Sequence, residues 1–135
     1  MCKLLLISHG DLSSEMLNTA KMIFGETKNV STLSLPYGKD LDLYEKEIED
    51  SILSAKSEGI LILTDLFGGS PFMTTARIYG RLQDQVPTQM VTGMNLGMVL
   101  QVMSMMNTTT LDELAKIALE SGLAGIVDFK DKVDL

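Results

Sequence analysis

The sequence predicts an α/β fold in which a single open, mainly parallel sheet carries helices on both faces. Short apolar runs, of which GILILTD at residues 59–65 is the clearest, alternate with longer segments whose apolar residues recur at helical spacing. The chain has 135 residues, enough for one domain to bury its own core without disulfides or metals. We therefore expect a single domain over residues 1–135.

Two strand–helix units are predicted in the first part of the chain. Residues 3–8, with the continuous apolar run LLLI, predict the first strand, after which Asp11 or Ser13 is expected to cap a helix. Residues 30–35 predict the second strand, which a Pro-Tyr-Gly turn closes. Apolar residues at helical spacing over residues 41–55 then predict a second, amphipathic helix.

The middle of the chain repeats this pattern. After the buried strand at residues 59–65, a Gly-Gly-Ser turn leads into a third helix with Pro71 at its first position. Residues 88–92 predict the fourth strand. The segment that follows, residues 96–106, is apolar on most of its faces, and we expect a helix covered on both sides.

The last predicted elements are one helix and one short strand. The helix begins at TTTLDELAKIALE, with a Thr cap and with Asp112 and Glu113 in its first turn, and the strand spans residues 125–129. Seven of the ten methionines lie between Met73 and Met106. We interpret most of them as core residues, and an adaptable protein-contact surface is the alternative.

Charge and composition argue against a nucleic-acid-binding, a secreted and a membrane-spanning protein. Lys and Arg number 11 against 18 Asp and Glu, and no basic run is present to neutralise a phosphate backbone, so no nucleic-acid partner is expected. The single cysteine, Cys2, cannot form an internal disulfide, and the first residues contain no signal-like apolar region. Since no apolar stretch approaches the roughly 20 residues that span a bilayer, we expect a cytoplasmic protein.

Three turns that follow predicted strands carry chemically active residues. They are Ser8-His9-Gly10, residues 65–71 and residues 93–95. Ligands of open α/β sheets bind beyond the carboxyl ends of the strands, where the strand order reverses. The turns therefore converge on one site if the first and third strands are neighbours.

His9 is the predicted nucleophile of this site. It is the only histidine in the chain, and neutral imidazole attacks phosphorus well near neutral pH. Gly10 lets the backbone approach a ligand, and the first N–H groups of the next helix favour an anion. A hydrogen-bonded structural histidine is the alternative.

Asp65 and the Gly68-Gly69-Ser70 turn complete the predicted site. Asp65 can accept the proton of one ring nitrogen of His9 and leave the other free to attack; a helix-approach cap or loop carboxylate is the alternative. The turn can present N–H groups and a hydroxyl to phosphate oxygens, although such a turn also occurs for backbone geometry alone. The chain contains neither a Walker loop nor a G-x-S-x-G elbow.

Three motifs together resemble the IIA domains of the mannose-family phosphoenolpyruvate-dependent sugar phosphotransferase systems. These are ISHG at residues 7–10, LTDLFGGSPF at 63–72 and VTGMNLGM at 91–98, and the resemblance extends over nearly the whole chain. It implies a phosphoryl carrier that accepts phosphate from phospho-HPr and passes it to a IIB component serving the IIC and IID membrane proteins. It also implies a homodimer in which a terminal strand is exchanged. No metal site and no cofactor are expected.

The resemblance assigns roles residue by residue. His9 matches the phosphorylated histidine and Asp65 the carboxylate that orients it. The predicted phosphate-binding residues are Gly10, Gly68, Gly69, Ser70 and Asn95. Two positions depart from the pattern: Leu66 stands where a hydroxyl residue is frequent, and Gly97 where proline is frequent.

Two other functions compete with this interpretation. One is the related phosphoryl-transfer subunit that serves dihydroxyacetone kinases, against which the DLFGGSP segment favours the sugar-transport branch. The other is a non-enzymatic flavodoxin-like ligand-binding or regulatory module, although the chain has no Trp and only three Tyr and four Phe to stack on a flavin. The sequence does not identify the sugar.

Overall fold

The computed structural model describes residues 1–133 and contains a four-stranded parallel sheet, which confirms the predicted fold class. The order across the sheet is β2-β1-β3-β4, and each neighbouring pair is parallel. The strands are β1 (Lys3–His9), β2 (Val30–Leu35), β3 (Ile60–Thr64) and β4 (Thr88–Thr92). The chain passes from β1 to β2 on one side and returns to β3 on the other. The strand order therefore reverses between β1 and β3.

Helices connect the strands and cover both faces of the sheet. A one-turn 3₁₀ helix, Lys56–Glu58, precedes β3. The α-helices of the described residues are α1 (Leu12–Phe24), α2 (Leu41–Ser54), α3 (Ser70–Leu82), α4 (Leu96–Met105), α5 (Leu111–Ala124) and α6 (Phe129–Lys132). In residues 1–133, no helix is both long and apolar enough to span a membrane.

A capping or first residue was predicted for three helices, and one of these predictions is confirmed in full. The Thr110 side chain accepts a hydrogen bond from the backbone N–H of Glu113 and caps α5. Asp11 precedes α1 but makes no side-chain cap; instead the hydroxyl oxygen of Ser8, on β1, accepts from the Ser13 backbone N–H at 2.7 Å. Helix α3 begins one residue earlier than predicted, so Pro71 is its second residue. A buried strand side chain thus replaces the local cap of α1.

Successive side chains of the central strands point to opposite faces of the sheet, and this divides the core into two layers. Leu4 and Leu6 of β1 pack with α1, α4 and α5, whereas Leu5 and Ile7 pack with α2 and α3. Each of these four side chains is fully buried, and burial of one such side chain contributes about 1.5–3 kcal/mol. Because β1 is buried on both faces, its sequence is a continuous apolar run.

Helix α4 belongs to the core, as predicted. The methionines on or beside it pack against α1, α5 and the sheet, and the buried ones are Met94, Met98, Met103 and Met106. Their unbranched side chains fit the irregular space between three helices. The interpretation as core residues is confirmed for these four.

The strand predicted at residues 125–129 is wrong for the single chain. Residues 126–128 have no regular secondary structure, and α6 starts at Phe129, where the Asp128 side chain accepts from the Lys130 backbone N–H at 2.9 Å. A strand needs a neighbour for its backbone hydrogen bonds, and this segment pairs with none of the four strands. Its exchange with a second chain remains a prediction.

Candidate functional site

The fold brings the first two predicted turns together. Strands β1 and β3 are neighbours, with Ile7 opposite Thr64. His9 is the last residue of β1, and Asp65 follows the last residue of β3. Their side chains therefore meet at the carboxyl edge of the sheet, beside the point where the strand order reverses.

One carboxylate oxygen of Asp65 holds His9 at two points. Oδ2 accepts from the His9 backbone N–H at 2.9 Å and lies 2.9 Å from the ring nitrogen Nδ1. Because an ionised carboxylate only accepts hydrogen bonds, the contact assigns the ring proton to Nδ1 and leaves the lone pair on Nε2.

The two side chains differ in exposure. The Asp65 side chain is 10% exposed, whereas that of His9 is 47% exposed. Partial exclusion of water strengthens the interaction between the carboxylate and the ring. The exposed part of the imidazole remains open to a reacting partner. The pair thus joins a largely buried carboxylate to an accessible imidazole.

Gly69 lies directly against the His9 ring. A Cβ at Gly69 would stand 2.6 Å from Cε1 of His9 and 3.2 Å from Nε2. The backbone itself does not demand glycine here, since φ is −75°. The imidazole therefore excludes a side chain at this position. The sequence analysis assigned Gly69 only to phosphate binding and missed this contact.

The start of α3 adjoins the exposed side of the ring. Gly69 is its N-cap, and Ser70 is its first, exposed residue. The first N–H groups of a helix have no acceptor within the helix, and the helix dipole is positive at this end. Gly68 has φ of +85°, which a glycine adopts readily. This turn is suited to an anion held near Nε2.

Gly10 shapes the other side of the site. Its φ of +52° turns the chain after His9, and its N–H donates to the Leu35 carbonyl oxygen at 2.9 Å. That N–H is therefore already engaged by the protein. Gly10 and His9 border an open groove of about 600 Å³, whose other wall includes Tyr37, Lys39 and Leu41.

Asn95 has a structural role that the sequence analysis missed. Its Oδ1 accepts from the Met98 backbone N–H at 3.0 Å and caps α4, while its Nδ2 donates to the Gly122 carbonyl oxygen at 3.0 Å. The side chain thus caps α4 through Oδ1 and joins it to α5 through Nδ2. The structure does not bring Asn95 into the His9 groove.

The two departures from the family pattern lie outside the His9–Asp65 contact. Leu66 is exposed beside Phe67, whose ring packs at 4.9 Å from that of Phe72. A Cβ at Gly97 would approach nothing nearer than Asn95 Oδ1 at 3.7 Å. Neither position alters the hydrogen bonds that Asp65 makes to His9.

The chain is similar to known proteins over most of its length. The family model described as the PTS system fructose IIA component matches residues 3–119. The mannose-specific EIIAB component of Escherichia coli K12 is 31% identical over 127 residues, which are 93% of this chain and 38% of the relative. The fructose-specific EIIA component of Bacillus subtilis is 26% identical over 115 residues, 84% of this chain and 77% of the relative. The chain thus spans about two fifths of the first relative and most of the second.

Solved structures share the fold. A crystal structure of the phosphotransferase system component EIIA from Streptococcus agalactiae has a TM-score of 0.89 at 24% identity, covering 97% of this chain and 99% of that one. The PTS IIA protein associated with the fucose utilization operon of Streptococcus pneumoniae has a TM-score of 0.81 at 27% identity, covering 98% and 96%.

We predict that Gly69→Ala displaces the His9 ring. The added methyl group would meet Cε1 at 2.6 Å, so the ring must rotate away and lose its contact with Asp65. Overpacking of this kind costs about 1–3 kcal/mol. Nitrogen-15 NMR of the imidazole should show loss of the fixed Nδ1–H tautomer.

Gly80→Ala in the same helix is the matched control, because a Cβ at Gly80 meets no atom within 4 Å. It should leave the imidazole spectrum unchanged. An unaltered tautomer in Gly69→Ala would contradict the close approach inferred for the ring.

Proposed function

The chain belongs to the mannose family of phosphotransferase-system EIIA components, and from this premise we propose that it carries a phosphoryl group on Nε2 of His9. HPr is the proposed donor and a IIB component the proposed acceptor, which in turn serves the IIC and IID membrane components. The observation that carries the proposal is the contact between Asp65 Oδ2 and Nδ1 of His9 at 2.9 Å. It leaves the opposite ring nitrogen free on a half-exposed side chain.

The geometry suits direct transfer between two histidines. The lone pair on Nε2 attacks the phosphorus of the donor phosphohistidine, and the P–N bond of the donor breaks as the new P–N bond forms. No proton has to leave His9 during this step, because its proton lies on Nδ1. The ring becomes positively charged, and the Asp65 carboxylate offsets that charge. Discharge to the acceptor is the same step in reverse.

The start of α3 supports binding of the transferred group. We assign the phosphoryl oxygens to the N–H groups and hydroxyl at Gly68-Gly69-Ser70, where helix polarity favours an anion. Gly10 contributes its backbone turn and not its N–H, which Leu35 engages. Asn95 is left out of this assignment, because its side chain caps α4 and binds Gly122.

Exposed apolar residues around His9 support a protein as the phosphoryl donor and acceptor. Tyr37 is fully exposed and Leu41 is about half exposed, and both line the groove that His9 borders. Aromatic and apolar side chains beside a reactive group favour transient protein docking. The Escherichia coli relative is named an EIIAB component, which supports a IIB unit as the acceptor. The sugar-specific names of the relatives favour sugar uptake over the dihydroxyacetone kinase pathway.

A homodimer is the proposed assembly. Strand β4 is an edge of the sheet, and a groove of about 710 Å³ beside it is lined by apolar residues including Phe72, Met90 and Leu119. The segment after α5 exposes Ile126 and Val127. Pairing of this segment with β4 of a second copy would cover the apolar groove and the exposed Ile126 and Val127. It would also supply hydrogen-bond partners to the free backbone groups of the β4 edge.

Phosphorylation by purified components tests the function. Incubation with radiolabelled phosphoenolpyruvate, enzyme I and HPr should add one phosphoryl group per chain, stable in alkali and labile in acid as a P–N bond is. His9→Ala should take no label, because His9 is the only histidine. Full labelling of that variant would refute the assignment.

Asp65→Asn should slow phosphorylation without unfolding the chain. The amide keeps the shape of the side chain but loses the charge that balances the phosphorylated ring. An orienting group of this kind contributes about 10²–10⁴-fold to a rate. Single-turnover labelling measures the effect, and circular dichroism checks the fold. A wild-type rate in the variant would remove Asp65 from the mechanism.

The dimer is tested by the mass of the chain in solution. Light scattering at micromolar concentration should give the mass of two chains. Val127→Asp should shift the mass toward one chain, since it places a charge in the proposed strand. The control Lys130→Asp changes a neighbouring exposed residue and should leave a dimer. A monomeric wild-type protein would contradict the proposal.

A further inference from the structure

Tyr44 has a buried hydroxyl in the core layer that packs against β1 and β3, the strands that carry the proposed site. It belongs to α2 and packs in the same core layer as Ile7 of β1 and Ile62 of β3. The residue is 0% exposed, and its hydroxyl has no hydrogen-bond partner within residues 1–133. Since a buried polar group without a partner costs free energy, this hydroxyl calls for an explanation.

Two more buried polar atoms without partners lie at the end of β3. They are Oγ1 of Thr64 and Oδ1 of Asp65, the carboxylate oxygen that does not contact His9. Thr64 continues the alternation of Ile60 and Ile62, whose side chains pack in the layer that contains Tyr44. Tyr44 thus packs against the face of β3 on which Thr64 lies, and both Thr64 and Asp65 have a buried polar atom without a partner.

The charges around Tyr44 keep its hydroxyl protonated. Burial raises the pKa of Tyr44 above its ordinary value, and the negative charges of Asp65 and Glu47 raise it further. Lys39 lies over the Tyr44 ring, with its ammonium 5.7 Å from the ring centroid and in contact with Glu47. Tyr44 is therefore a hydrogen-bond donor at neutral pH, and the neighbouring Asp65 has an oxygen without a donor.

We propose that Tyr44 is a positioning residue for phosphoryl transfer. Its hydroxyl donates a hydrogen bond toward Oδ1 of Asp65 and so holds Oδ2 toward His9. The two atoms are not hydrogen-bonded directly in the structure. In this proposal one bridging water, which Thr64 Oγ1 can also bind, completes the link. The hydroxyl thereby fixes the carboxylate rotamer, and through it the ring tautomer.

This inference rests on the proposed function, and a double-mutant cycle tests it. Tyr44→Phe removes only the hydroxyl and should slow single-turnover phosphorylation by HPr roughly fivefold to tenfold. In the Asp65→Asn background the same change should alter the rate less than about twofold, because the carboxylate that Tyr44 positions is already absent. Tyr79→Phe, on α3, is the control and should leave the rate unchanged.

A spectroscopic readout does not require phosphoryl transfer. Nitrogen-15 NMR of the single imidazole should show the Nδ1–H tautomer in the wild-type chain and a larger Nε2–H fraction in Tyr44→Phe. A wild-type rate and tautomer in Tyr44→Phe would overturn the inference while leaving His9 as the carrier. Equal slowing in both backgrounds would also overturn it, because Tyr44 would then act independently of Asp65. An unlabelled wild-type chain with the altered tautomer in Tyr44→Phe would refute the proposed function and support the Tyr44–Asp65 link.

Discussion

A single carboxylate oxygen joins the two central strands at their carboxyl ends. Oδ2 of Asp65, after β3, accepts from the backbone N–H of His9, at the end of β1, and lies at hydrogen-bond distance from the ring. The contact requires β1 and β3 to be neighbours in register. The strand order β2-β1-β3-β4 provides that, and it also creates the reversal of strand order at which α/β sheets bind ligands.

The two faces of the sheet make this contact rigid. Side chains of β1 and β3 are buried under helices on both sides, so neither strand end can move without disturbing a packed layer. The imidazole is confined between Asp65 and Gly69, yet about half of it is exposed. For the proposed phosphoryl transfer, an imidazole that is fixed but accessible needs little reorganisation when a partner protein docks.

Much of the fold and part of the site could be predicted from the sequence. The apolar runs of β1 and β3 are continuous because both strands are buried on two faces; His9 ends β1 and Asp65 directly follows β3. Three features of the structure depend on distances between elements, which the spacing of apolar residues does not predict. They are the contact of Gly69 with the ring, the two hydrogen bonds of Asn95 and the position of Tyr44. The strand predicted at residues 125–129 has suitable apolar residues, but a strand forms only by pairing, and this segment pairs with neither edge strand of its own sheet.

The central claim is that Asp65 leaves Nε2 as the reactive nitrogen of His9. The direct measurement is nitrogen-15 and phosphorus-31 NMR of the phosphorylated chain carrying labelled histidine, since a P–N bond couples the phosphorus to one ring nitrogen. With a single histidine in the sequence, the spectrum has one possible source. The account predicts coupling to Nε2 with a proton retained on Nδ1. Coupling to Nδ1 would contradict it, because Asp65 would then have to release the ring before transfer.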